Sequence, residues 1–169
     1  KGDRIVSISA VRIRQGRIDL ADSFHELVNP DRDIPPRAVV IHGILPRMVN
    51  GKPAMEEILP KFIEYIGSSV LVAHHAWLDM TFLNREMERL YGFSLQSLVL
   101  DTADLDHAFY LMKGPDSGHP KANNSLKALD ERYRVLTQGQ HTSFGDALTT
   151  AQIFQRMLKE AQKRGVLSL

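Results

Sequence analysis

Two segments of this chain combine histidine with a carboxylate at spacings that suit metal-dependent hydrolysis of a phosphodiester. Residues 71–79 read LVAHHAWLD, an apolar run that ends in a polar turn and in Asp79. Residues 141–146 read HTSFGD and place His141 five positions before Asp146. A carboxylate can hold a divalent cation while a nearby imidazole removes the proton from an attacking water. Two metal ions need more than two carboxylates, so these segments predict only part of a site.

Each segment also has a purely structural interpretation. Polar residues and a carboxylate in the first turn stabilise a helix by about 0.3 to 1 kcal/mol, which would account for His75 and Asp79. Ser143 followed by Asp146 fits a capping box, with Asp in place of the usual Glu or Gln. Taken singly, the segments are therefore compatible with helix starts as well as with a catalytic site.

Composition limits the class of protein. At 169 residues and 43% hydrophobic, the chain can bury one core, so we expect a single domain over residues 1–169. Its apolar runs are too short to cross a bilayer, and we expect a soluble, cytoplasmic protein without membrane partners. The absence of cysteine excludes disulfide frameworks and thiolate metal sites. A net charge of +1 is not that of a protein that coats duplex DNA, so a nucleic-acid substrate would be gripped at an end.

The residue pattern predicts an α/β fold in which helices cover a sheet. Alternating β-branched residues at 4–13 and 23–28, with a turn at Gln15 and Gly16, predict a hairpin. Buried strands are predicted at 70–73 and 98–100, the second followed by a helix that Asp101 can cap. A helix is predicted from Pro53, with a bend or late start at Pro60. Further helices are predicted at 125–133, at 146–163 and over the segment that carries Leu78, Phe82, Leu83, Met87 and Leu90. Residues 114–124 have the composition of a mobile loop, and a further loop is expected around His42.

The position of the histidines relative to these strands supports a functional site. In open α/β sheets, ligands collect beyond the carboxyl ends of the strands. His74, His75 and Asp79 lie just past the end of the strand at 70–73. The sequence therefore predicts that the polar turn faces a ligand.

Several ordered segments together resemble one enzyme family. Residues 71–79 and 141–151 resemble the second and third motifs of the DEDDh 3′→5′ exonucleases, which include the proofreading subunits of bacterial DNA polymerase III. Residues 41–44 (IHGI), 58–62 (ILPKF) and 100–102 (LDT) resemble further segments of that family in the same order. The resemblance therefore extends over nearly the whole chain.

The resemblance implies a ribonuclease H-like mixed sheet flanked by helices and a two-metal-ion hydrolase that uses Mg²⁺ or Mn²⁺. Its substrate would be the 3′ end of single-stranded DNA, or of RNA, and its partner a DNA polymerase or another replication or repair protein. Asp146 would bind metal directly, Asp79 would bind it partly through water, and His141 would be the general base.

The resemblance also implies contacts to the terminal nucleotide. His42 would lie near it, although a histidine beside Gly43 is equally typical of a turn. His75 and Leu78 stand where the family often has Asn and Phe, which would alter contacts to the base or sugar rather than the chemistry.

One family motif has no counterpart in the chain. The first motif, Asp-x-Glu, ends a central strand that in this fold lies between the hairpin and the strand at 70–73. Without that strand the sheet would be cut in two, so we expect an N-terminally incomplete domain whose first strand precedes Lys1. The 169 residues alone are then expected to be inactive or nearly so.

Two other functions compete with this interpretation. The first is a catalytically inactive exonuclease-like module that binds or scaffolds. The second is a metallophosphohydrolase that uses His74, His75 and Asp79, although the chain offers no adjacent His-Asp pair to bridge two metals. Replacing His74 by Ala should leave exonuclease activity largely intact, whereas its abolition would favour the metallophosphohydrolase.

Overall fold

The computed structural model describes residues 3–113, 123–135, 139, 141–163 and 165. These residues form a mixed α/β structure, as the sequence predicts. The elements in chain order are β1 (Ser7–Arg14), β2 (Arg17–Leu27), α1 (Pro36–His42), α2 (Pro46–Val49), α3 (Met55–Ile66), β3 (Leu71–Ala73), α4 (Ala76–Tyr91), β4 (Val99–Asp101), α5 (Thr102–Lys113), α6 (Leu126–Tyr133) and α7 (Ser143–Lys163).

The predicted hairpin is confirmed. β1 and β2 pair antiparallel, and Arg14 opposite Arg17 closes a two-residue turn. Both turn residues, Gln15 (φ 49°) and Gly16 (φ 72°), have positive φ, as the hairpin turn that matches strand twist requires. Side chains alternate between the two faces of the hairpin. One face packs into the core formed with α3, and the other lies against α7.

The two short strands that precede the candidate site are also confirmed. β3 and β4 pair in parallel, with Leu71 opposite Val99 and Ala73 opposite Asp101. Because parallel strands end at the same edge of a sheet, the turn after Ala73 and the Asp101 carboxylate are brought together. This edge carries the candidate site.

The strands form two separate sheets rather than one. Among the described residues, β1 pairs only with β2 and β3 only with β4, so β1 and β3 each keep one edge without a partner strand. The two sheets nevertheless lie side by side, because α7 packs against both β1 and β3. In addition, the Arg12 guanidinium of β1 donates to Ser69 Oγ (2.7 Å), just before β3. A sheet divided at this place is what the absence of a central strand predicts.

Helices α3 and α4 build the larger core. α3 begins at Met55, two residues after the predicted start, and continues through Pro60. Its Ile58 and Leu59 are completely buried (0% exposed). The buried members of this cluster are Val28, Met55, Ile58, Leu59, Phe62, Ile66, Leu83 and Met87. The apolar stripe of α3 thus fixes α4, and with it the helix start that carries Asp79.

Helix α7 joins the smaller core to the hairpin. Its apolar stripe packs on α5 and α6 through Ile153 and Met157. Its first turn is held by β1 and β2, where Ser143 Oγ lies 2.7 Å from Ser9 Oγ and the Phe144 ring meets His25 edge-on at 5.7 Å. These contacts fix the turn that carries Asp146.

The predicted loop around His42 is confirmed only for residues 43–45, because α1 ends at His42 and α2 begins at Pro46. Both begin with proline, at Pro36 and Pro46. Proline suits the first helical position, where its fixed φ is helical and its missing N–H has no intrahelical partner. The candidate mobile loop lies mostly outside the described residues, which resume at Asn123. Within the described ranges, no helix is long and apolar enough to cross a membrane.

Candidate active site

The turn that follows β3 is held by a carboxylate from β4. His75 adopts a left-handed conformation (φ 55°, ψ 50°) immediately before α4. Asp101 accepts hydrogen bonds from the backbone N–H groups of His75 (3.1 Å) and Ala76 (2.8 Å), and also from that of Ala103 (2.8 Å) at the start of α5. A left-handed non-glycine residue costs about 1 to 2 kcal/mol, and these charge-assisted hydrogen bonds offset it. One carboxylate therefore orients the starts of two helices.

Asp79 lies in the first turn of α4, beside Asp101. Although Asp79 is exposed at the surface, protein atoms around its carboxylate displace water. This desolvation, followed by the negative charge of Asp101, raises the pKa of Asp79 to about 6. Among the described residues, no basic side chain forms an ion pair with Asp79. A carboxylate in this position favours binding of a cation, because a cation relieves both the desolvation cost and the repulsion.

Asp146 and His141 form the second part of the site. The backbone N–H of His141 donates to Asp146 Oδ1 at 3.3 Å, and His141 itself is exposed in a left-handed conformation (φ 66°). Burial raises the pKa of Asp146, and the His141 N–H and charge partly oppose that rise. The structure thus brings together the histidine and the carboxylate of this segment and leaves the imidazole open to solvent.

The capping interpretation of this segment is wrong in its detail. Thr142, rather than Ser143, caps α7, because Thr142 Oγ1 accepts from the N–H of Gly145 (3.0 Å). The Ser143 hydroxyl is engaged with Ser9 instead. Asp146 is one turn further along the helix and points back to His141. Its carboxylate is therefore not used as the partner of a capping box.

His74 is half-buried and its ring faces the start of α5. Its Nδ1 lies 2.9 Å from Thr102 Oγ1, at the start of α5. Burial, followed by the neighbouring His75, lowers the pKa of His74 to about 4, so the ring is neutral near pH 7. This placement gives the metallophosphohydrolase interpretation no support, because His74 is committed to a hydroxyl of the core.

The residues predicted to contact the terminal nucleotide occupy two places. Leu78 and His75 lie at the start of α4, and Leu78 is 46% exposed. His42 is the last residue of α1, where its Nδ1 accepts from the N–H of Ile44 (3.0 Å), and burial lowers its pKa. This hydrogen bond closes a turn beside Gly43, as the turn interpretation of His42 predicts. Contact of His42 with a nucleotide stays a prediction.

The carboxylates of the described residues do not complete a two-metal site. Over the described parts of the chain, no group of three His, Asp or Glu side chains is arranged to hold a metal ion. The residues instead form two pairs: the charge of Asp101 acts on Asp79, and the backbone N–H of His141 donates to Asp146. Further donors are needed before a divalent cation would be held at this edge.

Asp101 is the residue whose role sequence reasoning missed. It was predicted only as the cap of the following helix, and its hydrogen bond to Ala103 confirms that role. Its hold on the turn at His75 depends on the pairing of β3 with β4, which is a contact between distant segments. A carboxylate at the end of a buried strand, in parallel register with a polar turn, is the signal that could have found it.

Comparison with known proteins identifies related sequences. Residues 1–154 match the RNase_T family, described as exonuclease. A DNA polymerase III subunit epsilon-like protein of Rhodobacter capsulatus is 39% identical over 167 residues, which make up 98% of this chain but only 22% of that protein. The DNA polymerase III subunit epsilon of Aquifex aeolicus is 32% identical over 156 residues, 92% of this chain and 72% of that subunit.

Comparison with solved structures supports the same relationship. Exonuclease X, solved in complex with 5′-overhanging duplex DNA, superimposes with a TM-score of 0.72 and 26% identity, over 93% of this chain and 84% of that one. The solved structures that this chain resembles are ribonuclease H-like DEDDh exonucleases. The predicted fold class is thereby confirmed.

Proposed function

Because the chain belongs to the RNase_T family of exonucleases, we propose that the protein removes nucleotides from the 3′ end of single-stranded DNA, with RNA as the alternative substrate. The observation that carries this proposal is the presence of two carboxylates, the exposed Asp79 and the half-buried Asp146. Both lie in the first turn of a helix, and both have a raised pKa. Such groups are typical of sites that gain a cation or a proton during function.

The roles we propose follow from this placement. Asp146 and Asp79 would hold Mg²⁺ or Mn²⁺ once the remaining donors are supplied. A pair of such ions would stabilise the charge on the attacking and leaving oxygens of the phosphodiester. His141 would act as general base, since its imidazole is exposed and its backbone is tied to Asp146. His42, His75 and Leu78 would contact the terminal nucleotide.

We propose that the missing donors come from an Asp-x-Glu segment on a strand upstream of Lys1. The unpaired edges of β1 and β3 support this, since a strand placed between them would satisfy backbone groups of both. Such a strand would end at the same edge as β3, close to Asp79 and Asp101. On this proposal, residues 1–169 belong to one exonuclease domain that includes the upstream strand.

The relatives suggest where the protein works. Because the relatives are named as DNA polymerase III subunits, we propose a DNA polymerase or another replication or repair protein as partner, and the cytoplasm as location. Co-purification of the tagged full-length protein with a polymerase subunit from its own cells would support the first part. Recovery without any replication or repair protein would contradict it.

The activity is tested with single-stranded oligonucleotides that carry a label at either end. The full-length protein with Mg²⁺ or Mn²⁺ should release the 3′ label as a mononucleotide and shorten 5′-labelled strands stepwise, and chelation should stop both. Asp146→Asn and His141→Gln should lower kcat by 10²-fold or more, as loss of a general base or metal ligand does. Glu64→Gln, an exposed carboxylate on α3, is the matched control. Undiminished activity of Asp146→Asn would refute the assignment.

The same assay separates this function from the inactive module. The incomplete donor set among the described residues is the observation that favours the module. If the module is correct, the full-length protein binds single strands but releases no nucleotide with either ion. If the exonuclease is correct, strand shortening requires the upstream Asp-x-Glu.

A further inference from the structure

A cavity of about 530 Å³ opens beside the candidate site, between the start of α4, the end of β4 and the start of α5. Its volume lies within the range of about 300 to 1,000 Å³ that is typical of small-ligand sites. Among the residues that line it are His75, Trp77 and Met80 from the α4 side, Asp101 and Asp104 from the β4 and α5 side, and Asn124. Neither the catalytic residues nor those proposed for the terminal nucleotide account for Trp77, Asp104 or Asn124.

Trp77 is the feature of this cavity that most needs an explanation. It is the only tryptophan in the 169 residues, and 67% of it is exposed to solvent. Folding gains little from an indole in that position, whereas burial of a large aromatic ring usually contributes strongly to a core. An exposed aromatic face at the rim of a cavity is suited to stack on a planar ligand.

The polar lining indicates what kind of planar ligand fits. Asn124 offers amide donors and an acceptor, His75 offers an imidazole and Asp104 offers carboxylate acceptors. Among the described lining residues, a phosphate would meet the carboxylates of Asp101 and Asp104 and neither lysine nor arginine. Amide and carboxylate groups of this kind pair with the edges of nucleobases. The lining therefore favours an uncharged base over a sugar-phosphate backbone.

The cavity shares His75 and Asp101 with the candidate active site. Trp77 and Asp79 are two residues apart in the first turn of α4, about 3 Å along the helix axis and on different sides of the helix. Asp101 lines the cavity, raises the pKa of Asp79 and holds the turn at His75. A strand that runs from Asp79 past Asp101 and His75 would therefore reach the cavity.

We propose that this cavity is a subsite for an unpaired base of the substrate strand, next to the nucleotide that is cleaved, and that Trp77 is its stacking surface. The proposal rests on the exonuclease function proposed above. It assigns to Trp77, Asp104 and Asn124 a role in choosing single strands, because a base that is paired in a duplex cannot enter the cavity. Trp77 is in this sense a specificity-determining residue and not a catalytic one.

Kinetics on two substrates test the proposal in the full-length protein. One substrate is a single-stranded oligonucleotide, and the other is the nitrophenyl ester of thymidine monophosphate, which has a scissile phosphodiester but only one base. Trp77→Ala should raise KM for the oligonucleotide about tenfold more than KM for the ester, since stacking contributes on this scale. Trp77→Phe should keep most of the difference. Tyr91→Ala, an exposed aromatic residue at the far end of α4, is the matched control and should change neither.

Fluorescence gives a second measurement that does not depend on catalysis. With the metal chelated, an oligonucleotide should quench the fluorescence of Trp77, identified as the emission that is lost in Trp77→Phe. Thymidine monophosphate at the same concentration should not quench it. If Trp77→Ala changes KM equally for both substrates and no quenching occurs, the base-binding subsite is refuted. The exposed indole would then be explained better by contact with a protein partner. If wild-type protein cleaves neither substrate, the exonuclease proposal fails, while quenching by oligonucleotide would still support a base-binding cavity.

Discussion

At the scale of single residues, the candidate site depends on carboxylates whose hydrogen bonds come from the backbone. Asp101 accepts three N–H groups at two helix starts, and Asp146 accepts one from His141. Asp79 is beside Asp101, and burial raises its pKa further. Backbone N–H groups, which carry no net charge, thus fix the positions of Asp101 and Asp146. Because no positive side chain is used for this purpose, the negative charge of these carboxylates can still attract a cation.

His74 gives a prediction about pH and stability. Its pKa is lowered to about 4 in the folded protein, against about 6.5 when unfolded. Between these values the unfolded state binds more protons, so the free energy of unfolding should rise with pH in that window. The contribution of the neutral ring should be complete above pH 6.5. We expect it to be lost as pH falls towards 4, by on the order of 2 kcal/mol.

Urea unfolding between pH 4 and 7.5 measures this effect. In His74→Gln, whose side chain does not titrate, the free energy of unfolding should vary with pH by about 2 kcal/mol less than in the wild type. His107→Gln removes an exposed histidine of α5 and should keep the wild-type pH dependence. If both variants keep the wild-type pH dependence, the buried position of His74 is not the cause. Metal-dependent cleavage by the His74 variant should remain largely intact at pH 7.5.

At the scale of elements, the start of α7 couples stability to the site. Thr142 caps the helix through the N–H of Gly145, and Asp146 lies in the turn that this cap fixes. Thr142→Ala should cost about 1 kcal/mol of stability. It should also lower kcat/KM about tenfold, because small displacements of a catalytic group are costly. Thr142→Ser should restore both.

A second helix cap serves as the control for this prediction. Glu57 Oε1 accepts from the N–H of Ala54 at the start of α3, which carries no residue of the candidate site. Glu57→Ala should therefore destabilise the protein by up to about 1 kcal/mol and leave kcat/KM unchanged. Equal losses of activity in Glu57→Ala and Thr142→Ala would show that stability alone explains the effect.

The junction of α5 and α6 gives a further prediction about stability. Asp106 is bound by the guanidinium of Arg132 and by the hydroxyl of Tyr133 (2.9 Å), and the two charged side chains are only 7% and 11% exposed. Arg132→Met removes the cation that compensates a buried carboxylate, at a cost of about 3 kcal/mol. Urea unfolding at pH 7 measures this loss.

An exposed ion pair is the control for the Asp106–Arg132 junction. Glu56 and Arg89 are 52% and 36% exposed, and their oxygen and nitrogen atoms lie 2.7 Å apart. Glu56→Gln should cost less than about 1 kcal/mol, because exposed pairs contribute little. Similar losses in Glu56→Gln and Arg132→Met would mean that burial does not determine the energy of these pairs.

Elements set by local patterns could be predicted from the sequence, and those set by distant contacts could not. The hairpin and the apolar stripes of α4 and α7 follow from periodicity alone. The choice of Thr142 over Ser143 as cap could not be foreseen, because a contact with Ser9 on β1 occupies the second hydroxyl. The hydrogen bonds of Asp101 to the turn at His75 could not be predicted either, because they depend on the pairing of β3 with β4. Helix α1 also could not be foreseen, because a proline such as Pro36 can either interrupt a chain or open a helix.

At the scale of the whole molecule, the division of the strands into two sheets bears on both the stability of the fold and the proposed metal site. The edges of β1 and β3 that lack a partner strand expose backbone N–H and C=O groups, which protein structures normally pair or cover. Helix α7 packs against both sheets and keeps them side by side. The carboxyl end of a strand placed between them would lie beside Asp79, so the same strand would complete the core and the metal site.

Comparison of residues 1–169 with a longer form that includes the encoded upstream segment tests this relation. We expect the longer form to cleave 3′-labelled strands and the 169 residues to be inactive or nearly so. Alternate amides of β1 and β3, those that point to the unpaired edges, should exchange with solvent quickly in the short form and become protected in the longer one. Replacing the upstream Asp-x-Glu by Asn-x-Gln separates the two roles, because protection should persist while cleavage is lost. Equal exchange in the short and long forms would show that no upstream strand enters the sheet.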